Sequence, residues 1–196
     1  MWNILTVNQV LGLSARMLRK DDMAHAFLFI PPPSNAHLDS TLDTNSYEYK
    51  LFLTAINNVC EDLTTQYPLL CFEEKFFGNK IKYDDLVYRI AKVIEIRDSK
   101  GKKARFYRSS DGVLLPSTDN YTILYSYKPD KLVENEFVPL YPTVPETILA
   151  YGVCAQYTLM DGLFDEADLW ESKYKEALLA HFRHTKNIKM RARLWQ

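Results

Sequence analysis

VPETILAYGVCAQYTLMDGLFDEADLWESKYKEALLAHF, residues 144–182, is the stretch that decides the fold. Thr143-Val144-Pro145-Glu146 has the form of a capping box, and Pro145 falls in a first helical turn, where its missing amide costs nothing. Ile148, Gly152, Ala155, Leu159 and Met160 then share one face, and the small residues among them let a second helix come close. Gly162 ends that helix. Asp165, Glu166 and Asp168 follow in a first turn, where the helix dipole favours negative charge. Ala167, Trp170, Tyr174, Ala177, Leu178 and His181 line one side of what comes next. The connection is short, so the two segments should fold back as an antiparallel helical hairpin.

Upstream, residues 6–19 carry Val7, Val10, Leu11, Leu13, Met17 and Leu18 at helical spacing. After MAHAFLFI comes PPPSNAHLDSTLDTNS, whose three consecutive prolines exclude both helix and central strand and argue for a long surface loop. Asn45-Ser46-Tyr47-Glu48 reads as a capping box with Asn45 as N-cap. Tyr49, Phe52, Leu53, Ile56, Val59, Cys60 and Leu63 then recur at steps of three and four until Pro68 stops the helix.

Between Leu86 and Tyr127 the period changes to two. LVYRIAKVIEIRD, ARFYR, GVLLP and YTILYSYKP read as strands separated by the turn signals Asp98-Ser99-Lys100-Gly101 and Ser110-Asp111-Gly112. Asp111-Gly112 favours a tight antiparallel hairpin, and Tyr121, Ile123, Tyr125 and Tyr127 mark one better-buried face. The expected class is α+β in a single domain spanning 1–196. It consists of an antiparallel bundle of about four helices (6–19, 46–66, 144–160, 165–183) with a small antiparallel meander (84–128) inserted between the second and third, and a C-terminal tail, 184–196.

Function classes narrow by composition. The 196 residues carry a net charge of -1, so no global field recruits nucleic acid or an anionic membrane. The longest apolar run, Ala26–Ile30, is too short to cross a bilayer, and Met1–Lys20 lacks the pattern of a signal peptide; a soluble chain made in the cytoplasm, with no membrane partner, is expected. Cys60, Cys71 and Cys154 are odd in number and widely spaced, which favours reduced, buried thiols over a disulfide framework or zinc. His181 and His184 lack a third ligand, and the acidic group at 161–168 does not have calcium-loop spacing. No nucleophile elbow or phosphate-binding glycine loop is present, so no enzymatic activity and no cofactor are expected.

Two charged segments remain. Lys100, Lys102, Lys103, Arg105 and Arg108 lie on a turn and its flank, either as a solvated turn that blunts an exposed strand or as a phosphate-contacting finger. The tail alternates Lys186, Lys189, Arg191 and Arg193 with Ile188, Met190, Leu194 and Trp195, and Trp and Arg are the side chains most used to anchor interfaces.

The order of these pieces resembles the head-to-tail connector proteins of tailed bacteriophages, also called adaptor or head-completion proteins, of the tail tubular protein A type. The proline-led helix, the small-residue face, the turn at Gly162, the pattern Trp170, Tyr174, Ala177 and the ending KMRARLW carry the resemblance, as do DLVYRIAKVIEIRD and YTILYSYKP upstream. It covers roughly the last 110 residues and is looser over the first 65. The resemblance implies a structural virion protein without catalytic activity. Copies would form a ring, expected to be a dodecamer, beneath the portal protein. A tail or tail-adaptor protein would bind below, and genome DNA would pass through the channel without sequence-specific contact. It also implies that Ile188, Lys189, Met190, Arg191, Arg193, Leu194 and Trp195 dock on the portal or a neighbour. A nucleic-acid-binding accessory module that uses Lys100, Lys102, Lys103, Arg105 and the basic tail is the alternative.

Overall fold

The structure is a computed structural model and describes residues 4–28 and 46–185. The proline-rich loop expected after Ile30 and the C-terminal tail from Lys186 both lie outside the described residues.

Among the described residues, five α-helices and a four-stranded antiparallel sheet make an α+β fold. α1 (Val7–Met17) opens on a capping box in which Thr6 and Gln9 exchange side-chain and backbone bonds. A further helix, α2 (Asp21–Phe27), follows after a turn at Arg19 and Lys20 and is absent from the sequence-based expectation. α3 (Tyr47–Gln66) buries the expected stripe of Tyr49, Phe52, Ile56, Val59, Cys60 and Leu63. It ends where Tyr67, placed before Pro68, is forced into extended backbone. Its N-cap is Ser46, whose hydroxyl accepts from the Tyr49 amide, one residue later than the cap expected at Asn45. Glu48 is thereby released from the capping role and pairs with Lys20 at 2.6 Å.

The sequence 144–182 forms α4 (Glu146–Met160) and α5 (Phe164–Thr185), joined by a turn in which Gly162 takes φ +82. Pro145 is the N-cap of α4 and no side chain caps it, so the expected Thr143 box does not form. The Thr143 carbonyl instead accepts from His181 Nε2 at 2.8 Å, which pins the end of α5 to the start of α4. α4 packs against α1, α3 and α5 and is buried around most of its circumference. Gly152 sits between Val59 of α3 and Tyr174 of α5; Leu159, expected on the buried face, is exposed. α5 buries only a narrow stripe, Ala167 and Leu178 fully and Trp170, Tyr174, Ala177 and His181 in part.

The helical core is threaded by aromatic rings. Tyr49 stacks on Phe27 with ring centres 5.8 Å apart, Phe27 meets Phe52 edge-on at 5.4 Å, and Phe52 stacks on Tyr157 at 4.2 Å. These contacts join α2, α3 and α4, and each ring excludes a large apolar area from water.

The sheet is ordered β1-β4-β2, with β3 also on β4. β1 (Cys71–Lys82), missing from the expected insertion at 84–128, runs antiparallel along β4 (Gly112–Tyr127). β2 (Ile90–Arg97) and β3 (Tyr107–Ser109) pair with the opposite edge of β4. The sheet is therefore organised around one long strand and is not a meander, and GVLLP and YTILYSYKP belong to that same strand. Pro116, which has no amide to give a ladder, lies where the register slips: Gly78 pairs with Asp119, but Lys80 pairs with Leu114. The expected tight turn holds, with Ser110 and Asp111 joining Ser109 to Gly112. Tyr121, Ile123 and Tyr125 form a second core with Val93, Ile96, Ile81 and Val113, which shares no residue with the helical core.

Burial sets an alkaline limit on stability. Cys60 and Cys154 are enclosed and Cys71 is exposed, so the expectation of three buried thiols holds for two of them. Burial pushes Cys60 and Cys154 up to about 12 from an ordinary 9.0, and burial together with the Glu74 carboxylate pushes Tyr125 up to about 12 from 10.0. A group raised in the folded state stays protonated there while the unfolded chain ionises first. The stability from these groups is complete below about pH 9 and declines as the pH rises toward 12. Urea midpoints measured from pH 8 to 11 should fall steadily, and a flat profile would contradict the burial of these side chains.

Candidate functional site

The basic segment expected at residues 100–108 forms the connection from β2 to β3. Asp98 organises it: its Oδ1 accepts the amides of Lys100 at 2.9 Å and Lys102 at 2.8 Å, and its carbonyl accepts the Gly101 amide at 2.9 Å. Lys103 is turned back toward the sheet, where Glu95 binds it at 2.9 Å and Arg97 at 2.6 Å. Those two hydrogen bonds, Arg97 first, hold the Glu95 carboxyl below its ordinary value. The group thus divides. Lys103 is paired, sharing Glu95 with Arg97, while Lys100, Lys102 and Arg105 are exposed and, among the described residues, have no ion-pair partner. Arg108, with Tyr107 (71% exposed) beside it, extends this cationic edge along β3.

Of the tail residues that the sequence marks for docking, Ile188, Lys189, Met190, Arg191, Arg193, Leu194 and Trp195 all lie outside the described residues. The described chain ends on α5 with Phe182 stacked on Tyr67 at 4.2 Å.

Two surfaces escape the sequence reading. The first is the outside of the α4–α5 hairpin, where Phe164 is 66%, Leu169 55% and Leu179 51% exposed, with Leu159 and Leu163 nearby in sequence. These large apolar side chains lie in water along one hairpin. The second is a cleft of about 520 Å³ between the sheet and the segment at 128–139, lined by Leu70, Tyr88, Tyr127, Pro129, Leu132 and Phe137 among others. Tyr88 and Tyr127 stack at 4.3 Å on one another there. The segment is held firmly. Asn57 Oδ1 accepts the Leu132 amide at 2.7 Å and Asn57 Nδ2 donates to the Leu132 carbonyl at 3.1 Å. The Val138 amide donates to the Leu5 carbonyl at 3.0 Å and the Val7 amide to the Glu136 carbonyl at 2.8 Å. No local motif announces this cleft, because its residues come from three separate parts of the chain.

One half-buried carboxylate helps to close the sheet face. Glu74 lies on the core side of β1 between Phe72 and Phe76, and it accepts the Val87 amide at 3.1 Å and the Tyr125 hydroxyl. Tyr125 Oη in turn accepts from the Tyr88 amide at 3.3 Å. Among the described residues no group of three histidine, cysteine, aspartate or glutamate side chains could hold a metal ion, and no helix is long and apolar enough to cross a membrane.

No protein-family model matches the chain, and comparison with curated proteins finds no match.

Proposed function

We propose that this chain is a structural virion protein, a connector subunit that forms a ring between the portal vertex of a tailed bacteriophage and its tail. The supporting observation is the α4–α5 hairpin. Proline-led α4 is nearly enclosed, α5 is held by a narrow stripe, and the outer side leaves Phe164, Leu169 and Leu179 in water. A subunit that packs side by side with copies of itself needs such a face, because ring closure uses two different patches that meet repeatedly. In this reading the sheet, with a core of its own, carries the contact to the tail protein below, and the tail from Lys186 onward reaches the portal. DNA passes through the centre without being read.

The double substitution Leu169→Glu with Leu179→Glu tests the face. Both side chains are exposed, so circular dichroism and thermal midpoint should be unchanged while ring formation on portal is lost. Rings assembled by the variant as readily as by the natural chain would remove the hairpin from the interface.

A nucleic-acid-binding module is the second reading, favoured by the unpaired edge of Lys100, Lys102, Arg105 and Arg108 around Tyr107. It requires DNA affinity that falls steeply with salt, with a slope that lessens by about one for each such cation removed.

A further inference from the structure

We infer that the cleft between the sheet and the segment at 128–139 is a peptide-binding site, and that in the free subunit, before it meets the portal, its occupant is this chain's own C-terminal segment, residues 186–196, bound within the same molecule.

The site has the properties that such an occupant requires. A volume of about 520 Å³ lies within the roughly 300–1,000 Å³ of sites that enclose small ligands. The stacked rings of Tyr88 and Tyr127 offer an aromatic platform, and Phe137, 62% exposed, lines the same space. An indole and a leucine side chain, as in Leu194-Trp195, fill such a volume and would be driven in by burial of apolar area.

Charge points the same way. Lys128 is paired with Glu61, and among the described residues the lining carboxylates of Asp130 and Glu136 have no ion-pair partner, although Glu136 accepts the Val133 amide at 2.9 Å and Arg89 and Lys131 lie in the adjoining cleft. Residues 186–196 bring Lys186, Lys189, Arg191 and Arg193 and no aspartate or glutamate. Basic residues spaced by apolar ones suit an apolar cleft with an acidic rim.

Connectivity selects the molecule's own tail over a neighbour's. Phe182 stacks on Tyr67, and three residues beyond Tyr67 the chain reaches Leu70 in the cleft lining, whose carbonyl accepts the Tyr127 amide at 3.0 Å. The last turns of α5 therefore pack against the stretch that leads into the cleft lining. The eleven residues that follow extend up to about 35 Å, at roughly 3.3 Å each. A peptide on so short a tether acts at an effective concentration in the millimolar range, far above that of other copies in a dilute solution.

A zero-length carbodiimide cross-link, applied to the dilute, full, natural chain as an equal mixture of unlabelled and nitrogen-15-labelled protein, tests this directly. Peptide mapping should find amide bonds from Lys186 or Lys189 to Asp130 or Glu136, with both peptides carrying the same isotope. Phe137→Glu, at a side chain already largely in water, should lower that yield several-fold with circular dichroism unchanged. Absence of tail-to-rim cross-links would overturn the assignment, as would links that mix the isotopes, which would place the tail in the cleft of another copy. Either result stands apart from the connector proposal, since the mapping uses no portal.

Discussion

Phe52→Ala should lower folding stability by about 3–5 kcal/mol, the usual cost of removing a fully buried aromatic ring and leaving a cavity. Phe52 is wholly enclosed and touches rings from two other helices, Phe27 at 5.4 Å and Tyr157 at 4.2 Å, so no single neighbour can close the space. For a domain of this size the thermal midpoint should drop by roughly 10–15 °C. Tyr157→Phe is the internal control. The Tyr157 hydroxyl is buried and, among the described residues, makes no hydrogen bond of ordinary geometry; the Lys20 ammonium, 5.1 Å from the ring centre, interacts with the hydroxyl more weakly. A buried hydroxyl so weakly partnered carries a desolvation cost with little return, so its removal should leave stability within about 1 kcal/mol. Both variants are read from urea unfolding followed by circular dichroism. A Tyr157→Phe loss as large as that of Phe52→Ala would show that the hydroxyl is bonded and that ring packing is not what joins α3 to α4.

Gly112→Val should damage the sheet and leave the helices in place. A Cβ at position 112 would stand 2.2 Å from the Ile81 carbonyl oxygen and 3.0 Å from the Lys82 Cα, so it would press on backbone that cannot rotate away. β1 would have to leave β4 at this point, which pulls Ile81 from the sheet core; a cost of about 3 kcal/mol, at the upper end for overpacking, is expected. Because the two cores share no residue, the loss should be regional. Amide hydrogen exchange should accelerate through residues 71–82 and 107–115 and remain slow in α3 and α4. Uniform acceleration would mean that sheet and helices unfold as one unit.

The helices were legible from apolar spacing, although neither expected cap formed as read: the α3 stripe, the Gly162 turn and the α5 face of Ala167, Trp170, Tyr174, Ala177 and Leu178 stand as the sequence indicates. Errors arose where a polar or cyclic residue hides the period. Glu74 interrupts the inward series of β1 with a carboxylate whose partners, Tyr125 and the Val87 amide, are distant in sequence. Pro116 looks like a strand end, yet a register slip inside β4 accommodates it. Ser46 and Asn45 are equally suitable caps by type, and the difference lies in Lys20, which draws Glu48 into an ion pair. α2 is only seven residues long, and it depends on Phe27 packing onto Tyr49 and Phe52. The basic turn was legible as a group, but not its division, because Glu95 pairs with Lys103 across the strand pair. The cleft could not be read at all, since proximity of Leu70, Tyr88, Tyr127 and Phe137 is a property of the folded chain.

The connector reading comes down to one mass measurement. Light scattering should be recorded on the full chain, alone and mixed with the portal protein of the same phage, beside a chain ending at Thr185. A complex whose mass corresponds to portal plus a closed ring of subunits, formed by the full chain and not by the shortened one, is the expected result. Portal and full chain eluting separately, with no complex at any ratio, would contradict it.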